Sequence, residues 1–165
     1  GYRYNIEQIP GERACAIFCQ KDKELFPEIT INNTLYSNQW IGLGEKCSIQ
    51  ERVRVGEVLD SYMGGGVISH YNMDAPFTNK DTAWNMLNYI AMHHIPYFAF
   101  NGRQHTCKHN HAFYEDTCPV CGGEIETDWT RIVGFSTPVK TFSAERTEEY
   151  NQRLWNNPLD FEKLF

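Results

Sequence analysis

The chain has 165 residues, a formal net charge of −6, 41% apolar residues and 14% aromatics, enough for one domain with a core and too aromatic for a disordered chain. It has no basic run, which argues against nucleic-acid binding through a positive surface, and no apolar run near the roughly 20 residues that cross a bilayer. No signal peptide is visible, and three of six cysteines sit with histidines at metal-ligand spacing while Cys15, Cys19 and Cys47 are scattered, so the expected compartment is the reducing cytoplasm.

Residues 2–9 alternate loosely and predict a strand, which Pro10-Gly11-Glu12 breaks. Ala14, Ile17, Phe18 and Leu25 have near-helical spacing and predict a helix from about Arg13 to Phe26. Strand, tight turn and helix make an anion-binding geometry, because the free amides of the first helical turn and the helix dipole favour negative charge. The candidate loop is Pro10, Gly11, Glu12, Arg13 and Ala14. Glu12 would oppose a phosphate, so backbone amides or Arg13 must make any contact; an ordinary strand-to-helix turn accounts equally for the pattern. Cys15 and Cys19, at i and i+4, share a helix face and read as core residues.

Leu35 to Leu43 reads as a strand or extended loop. Ser48 is placed to cap a helix over Ile49 to Tyr62, with Cys47 just before the cap. Gly64-Gly65-Gly66 marks a turn with close backbone approach, since no phosphate-loop pattern frames it. Val67 to Met73 predicts a strand carrying His70, which reads as a satisfied core or surface residue. Thr78-Asn-Lys-Asp81 has the form of a capping box, and Ala83, Trp84, Leu87, Ile90 and Ala91 give a helical stripe to about His93. Ile95 to Phe100 reads as a buried strand. Strand, helix and continuous apolar strand predict a parallel, barrel-type α/β sheet.

Composition changes after Asn101-Gly102. Residues 103–126 are polar and rich in Cys and His, too poor in apolar groups to fold without a ligand. Cys118-Pro-Val-Cys121-Gly-Gly is a knuckle, two thiolates facing one ion across a tight turn. Cys107 supplies a third sulfur, and His109 and His111 compete for the fourth position. His111 is favoured, giving C-x3-H-x6-C-x2-C, a closed structural zinc site. Thr130-Arg-Ile-Val-Gly134-Phe-Ser-Thr-Pro138 follows, a lone glycine between apolar residues, with Ile132, Val133 and Phe135 as expected apolar walls. Ser143 starts a last amphipathic helix through Glu145, Tyr150 and Leu154, and the aromatic tail Trp155–Phe165 is expected to pack on another surface.

The Pro10-Gly11-Glu12 turn, the Tyr36-Ser37-Asn38-Gln39 run, the Cys118–Gly123 knuckle and the Arg131-Ile-Val-Gly-Phe135 stretch resemble the anaerobic, class III ribonucleotide reductases. The resemblance implies the C-terminal portion of a ten-stranded α/β barrel of the glycyl radical enzyme type, followed by a small zinc-binding module and a radical loop. The implied division is 1–102 for the last barrel elements, 103–126 for the zinc module, 127–142 for the radical loop and 143–165 for the terminal helix and tail. It implies a stable radical at Gly134, made by an activase that uses S-adenosylmethionine and an iron–sulfur cluster, and a substrate phosphate loop at Pro10–Ala14. The substrate would be a ribonucleoside triphosphate, reduced to the deoxyribonucleoside triphosphate, and the complete enzyme a homodimer. The thiyl-forming cysteine of the family has no counterpart among Cys15, Cys19 and Cys47. The chain is therefore expected to be a fragment or a split subunit, completed by an N-terminal part or chain and inactive alone. The rival reading is a small, non-catalytic glycyl-radical protein that completes a damaged enzyme.

Overall fold

Two sheets organise the chain, one parallel and one antiparallel. The computed structural model describes residues 1–8, 11–132 and 134–164, with Glu12 and residues 162–164 described by backbone only. Helices α1 (Glu12–Leu25) and α2 (Ile49–Asp60) precede strand β1 (Ser69–Met73), helix α3 (Lys80–Met92) and strand β2 (Phe98–Gly102). Strands β3 (Gln104–Thr106), β4 (Ala112–Phe113), β5 (Thr127–Arg131) and β6 (Ser136–Pro138) follow, then helix α4 (Ala144–Gln152) and a 3₁₀ turn at Pro158–Leu164. No helix among the described residues is long and apolar enough to cross a membrane.

β1 and β2 pair in parallel, Ser69 opposite Phe98 and Met73 opposite Gly102, with α3 as the crossover. Side chains alternate across a strand. Tyr71 and Met73 accordingly join Ile49, Val53, Met86, Ile90, Ile95 and Phe161 in the main core, with Phe98 and Phe100 against it. His70, Asn72 and Asn101 fall on the opposite face and are also buried. The other edge of β1 is closed by side chains. Gln39 donates from Nε2 to Ile68 O (3.1 Å) and accepts at Oε1 from His70 N (2.8 Å), and Gln8 Oε1 accepts from Ile68 N (3.1 Å). At its C-terminal end β1 pairs with Asn156, whose N donates to Asn72 O (3.0 Å). The antiparallel sheet runs β4-β3-β5-β6.

Several expectations are corrected. Residues 2–8 form no strand; their backbone bonds run to the Gly64–Gly66 turn, through Gln8 N to Gly66 O and Gly65 N to Ile6 O, and a strand needs a ladder partner. At Gly65 a Cβ would lie 2.8 Å from Glu7 Cβ, so the close approach expected there is to this segment. The stretch 35–43 is a loop. Helix α3 is capped by Asn79, whose Oδ1 accepts from Asp81 N, and not by Thr78. Strand β2 begins at Phe98, three residues later than Ile95, because His94 takes a left-handed conformation (φ 56°) and turns Ile95 into the core. The tail packs on this chain's own core through Phe161. No barrel closes among the described residues, which hold two parallel strands. Ile9, Pro10, Val133 and Phe165 lie outside the described residues.

Helix α1 is the least supported element. Of its described side chains only Cys19 is buried, while Ile17, Phe18 and Leu25 are 43%, 61% and 68% exposed. Ile90→Ala in the core should lower the unfolding free energy by about 2–5 kcal/mol. Phe18→Ser should cost under about 0.5 kcal/mol in the isolated chain, yet weaken association with the complementary reductase part that the resemblance implies. Denaturant unfolding and co-elution read the two effects, and a Phe18→Ser chain that unfolds easily but still associates would contradict this account.

Candidate functional site

The cysteines and histidines of 107–123 lie on two similar turns. In the first, Cys107 N donates to His111 O (3.3 Å) and Asn110 takes a left-handed φ of 61°. In the second, Cys118 N donates to Gly123 O (2.9 Å) and Gly122 takes φ 66°. Each turn folds its ligand side chains toward the other. Cys107 Sγ and Cys121 Sγ lie 3.7 Å apart, and Cys118 Sγ lies 3.5 Å from His111 Nδ1. Tetrahedral zinc, with Zn–S about 2.3 Å and Zn–N about 2.0–2.1 Å, puts two sulfurs about 3.8 Å apart and sulfur and nitrogen about 3.6 Å apart. The donor set therefore fits zinc. The ligand atoms of Cys107, His109, His111 and Cys121 also all lie within 4.8 Å of one another, so both histidines are within reach. Burial raises the Cys107 thiol, but the backbone amides of His109 and His111 and the neighbouring sulfurs outweigh it and hold it below its usual value.

From this cluster the sheet leads to Gly134. β3 pairs with β5 (His105 opposite Asp128), and β5 pairs with β6 (Arg131 opposite Ser136), so Ile132, Gly134 and Phe135 lie at the tip of a hairpin. Trp129 Nε1 donates to Thr106 Oγ1 (3.1 Å), and the fully buried Thr130 donates from Oγ1 to Gly102 O (3.1 Å), joining β5 to both sheets. Asp128 accepts from Tyr150 Oη at 3.1 Å and lies 2.7 Å from His105 Nδ1. Gly134 is exposed, and a Cβ built on it would have no neighbour within 4 Å. The expected apolar walls are not closed around it. Phe135 is 75% exposed and Ile132 half-buried, because the tip reaches past the sheet that carries it; Val133 lies outside the described residues.

The candidate anion loop is brought near this hairpin. Gly11 is the N-cap of α1, with no side-chain cap bond, and Arg13 and Ala14 are exposed. Arg13, Ile17 and Gln20 line a cavity of about 490 Å³ together with Ile132, Thr137 and Arg146. Pro10 and the side chain of Glu12 lie outside what is described. No cysteine lines the cavity; Cys19 is buried, donating to Asn33 O at 3.1 Å. His70, expected to be a satisfied core or surface residue, is buried but not fully satisfied. Its Nε2 is buried without a partner among the described residues, and burial first, then Arg131 and Arg153, push its pKa down to about 4, leaving a neutral imidazole. Only the register of β1 reveals that this ring faces away from the apolar core.

Metal analysis should find about one zinc per chain. His111→Ala should lose it and His109→Ala keep it; the reverse would assign the fourth position to His109, and metal-free wild-type protein would remove the site.

Several solved structures are similar to this chain. One described as an anaerobic ribonucleotide reductase has 39% identity and a TM-score of 0.86 over 95% of this chain and 25% of its own. The anaerobic ribonucleotide reductase from Thermotoga maritima with glycerol in the active site has 39% identity and a TM-score of 0.78, over 90% and 24%. The same enzyme in complex with dATP and CTP has 37% identity and a TM-score of 0.75, over 93% and 24%. The chain thus spans about a quarter of the length of these structures. No curated protein matches. The profile described as anaerobic ribonucleoside-triphosphate reductase matches residues 1–155. With its mixed α/β fold and these relatives, the chain belongs to the anaerobic ribonucleoside-triphosphate reductase family.

Proposed function

We propose that this chain is the radical-bearing C-terminal part of a reductase that converts ribonucleoside triphosphates to deoxyribonucleoside triphosphates without oxygen. One observation carries the reading: Gly134 stands at the tip of a hairpin built on the Cys/His cluster, with nothing within 4 Å of where a Cβ would lie. A radical at Cα is stabilised by delocalisation between the amide nitrogen and the carbonyl, which requires the carbon to flatten, and glycine alone has no side chain to oppose that. The open tip leaves room for a partner surface to close over it and exclude water and oxygen, with Phe135 as one contact.

In this reading an activase using S-adenosylmethionine and an iron–sulfur cluster removes one hydrogen atom from Gly134. The glycine later regains a hydrogen atom from a cysteine thiol of the complementary N-terminal part, leaving the unpaired electron on sulfur, and that thiyl takes the 3′ hydrogen of the ribose. The turn Gly11–Ala14, with Pro10 and Glu12, offers backbone amides and Arg13 to the substrate phosphates, and the cavity between α1 and the hairpin supports this assignment. Cys107, Cys118, Cys121 and His111 hold a structural zinc, which ties the two turns together; their distances support this set. The complete enzyme is a cytoplasmic homodimer, and this chain alone is inactive. A small accessory radical protein would need only the hairpin and its metal cluster, whereas similarity over 95% of the chain, α1 and the parallel pair included, favours the reductase.

The test is Gly134→Ala. The added methyl meets nothing within 4 Å, so the variant should fold and bind zinc. Assembled with its complementary part and activated without oxygen, wild type should show a carbon-centred radical in electron paramagnetic resonance. Air should then cut it to release residues 135–165, a piece of 31 residues. The variant should show no radical, no cut and no turnover. A cut elsewhere, or turnover by the variant, would leave Gly134 an ordinary loop glycine.

A further inference from the structure

We infer that Arg153 is a positioning residue for the glycine hairpin, held in a fixed plane by Glu149 and aimed at the carbonyl where the tip leaves β5. Arg153 follows the last residue of α4, and its side chain is 1% exposed. Its Nε donates to Glu149 Oε1 and its Nη2 to Glu149 Oε2, both at 2.9 Å, a two-bond fork that fixes the guanidinium plane. The remaining nitrogen, Nη1, donates to Arg131 O at 3.2 Å. Arg131 is the last residue of β5 and faces Ser136 across the hairpin, so this bond sits where residues 132–135 depart. Glu149 is itself held from a second side by Arg146 Nη1 at 3.0 Å.

The backbone around Arg153 is anchored to the other half of the fold. Leu154 N donates to Leu43 O (2.9 Å), Asn72 Nδ2 donates to Leu154 O (3.3 Å), and Asn156 pairs with β1. The guanidinium therefore refers the exit of the hairpin to the parallel pair. The tip needs such a reference, because beyond Arg131 it has an open glycine and an exposed Phe135. A lysine would carry the charge but could not hold both carboxylate oxygens and the carbonyl in one plane. The inference rests on the Gly134 reading only for its catalytic readout.

The experiment uses this chain assembled with its complementary part and compares wild type, Arg153→Lys and Arg153→Met. Hydrogen exchange is followed over residues 130–137, over β3–β4 and over α3. In Arg153→Lys, exchange at 130–137 should rise about tenfold, the size of one lost charged hydrogen bond, while metal content and the protection of α3 stay at wild-type values. Radical yield and kcat should fall by a similar factor, with KM within about twofold, since Arg153 does not itself line the cavity beside the phosphate turn. Arg153→Met should do the same or more; if it fails to fold, the lysine variant decides. Unchanged exchange at 130–137, or loss of protection spread evenly over the protein, would overturn the inference. A wild type without any radical signal would instead refute the Gly134 reading, and the exchange result would still decide the role of Arg153.

Discussion

The pairing of β5 with β3 is the constraint on which the rest depends. A Cβ at Gly134 would meet nothing within 4 Å among the described residues, so its position is inherited from β5. β5 in turn is held on one edge by a three-residue strand, β3, whose hairpin ends in the Cys/His turns. Among the described residues, the buried apolar cluster beneath this sheet is Cys107, Phe113 and Cys118. Three residues bury too little apolar surface to offset the ordering of some twenty. A metal held by the Cys/His donors, whose spacing fits zinc, would supply a cross-link where a core of ordinary size is missing.

The parallel pair shows a division of labour between its faces. One face is apolar and joins α2 and α3 through Tyr71, Met73, Phe98 and Phe100. The other carries His70, Asn72 and Asn101, all nearly solvent-free. Burying polar groups is unfavourable unless they are bonded. Asn101 Nδ2 donates to Asn72 Oδ1 (3.2 Å), and Asn72 Nδ2 reaches the tail, so part of that demand is met internally. Among the described residues, His70 Nε2 and Asn101 Oδ1 have no partners. A neutral histidine beside Arg131 and Arg153 is the less costly state in that setting.

The exposed apolar residues tell a matching story. Ile17, Phe18 and Leu25 on α1 and Phe135 at the hairpin tip stand in solvent in this chain. Exposed apolar patches of this kind mark surfaces that something else covers. Relatives four times as long have the chain needed to do so.

How much of this was legible beforehand follows from the range of the forces involved. The spacing of Ala14, Ile17 and Phe18, the Ser48 cap and the stripe from Ala83 to Ala91 are local, and the helices they imply formed within a residue or two of the expected bounds. The knuckle Cys118-Pro-Val-Cys121 and the tip glycine are likewise local signatures, dictated by turn geometry and by the absence of a side chain. Residues 2–8 had the right alternation and still made no strand, because a strand exists only by pairing and pairing partners are distant in sequence. Long-range contacts also decided the place of His70, the return of Asn156 and Phe161 to β1 and its core, the reach of both His109 and His111 to Cys107 and Cys121, and the junction of Arg153 with Arg131. Sequence by itself determined the helices, the turns and the residue types able to do the chemistry. Tertiary structure alone decided which of them meet, because register and burial arise only when segments far apart in the chain come into contact.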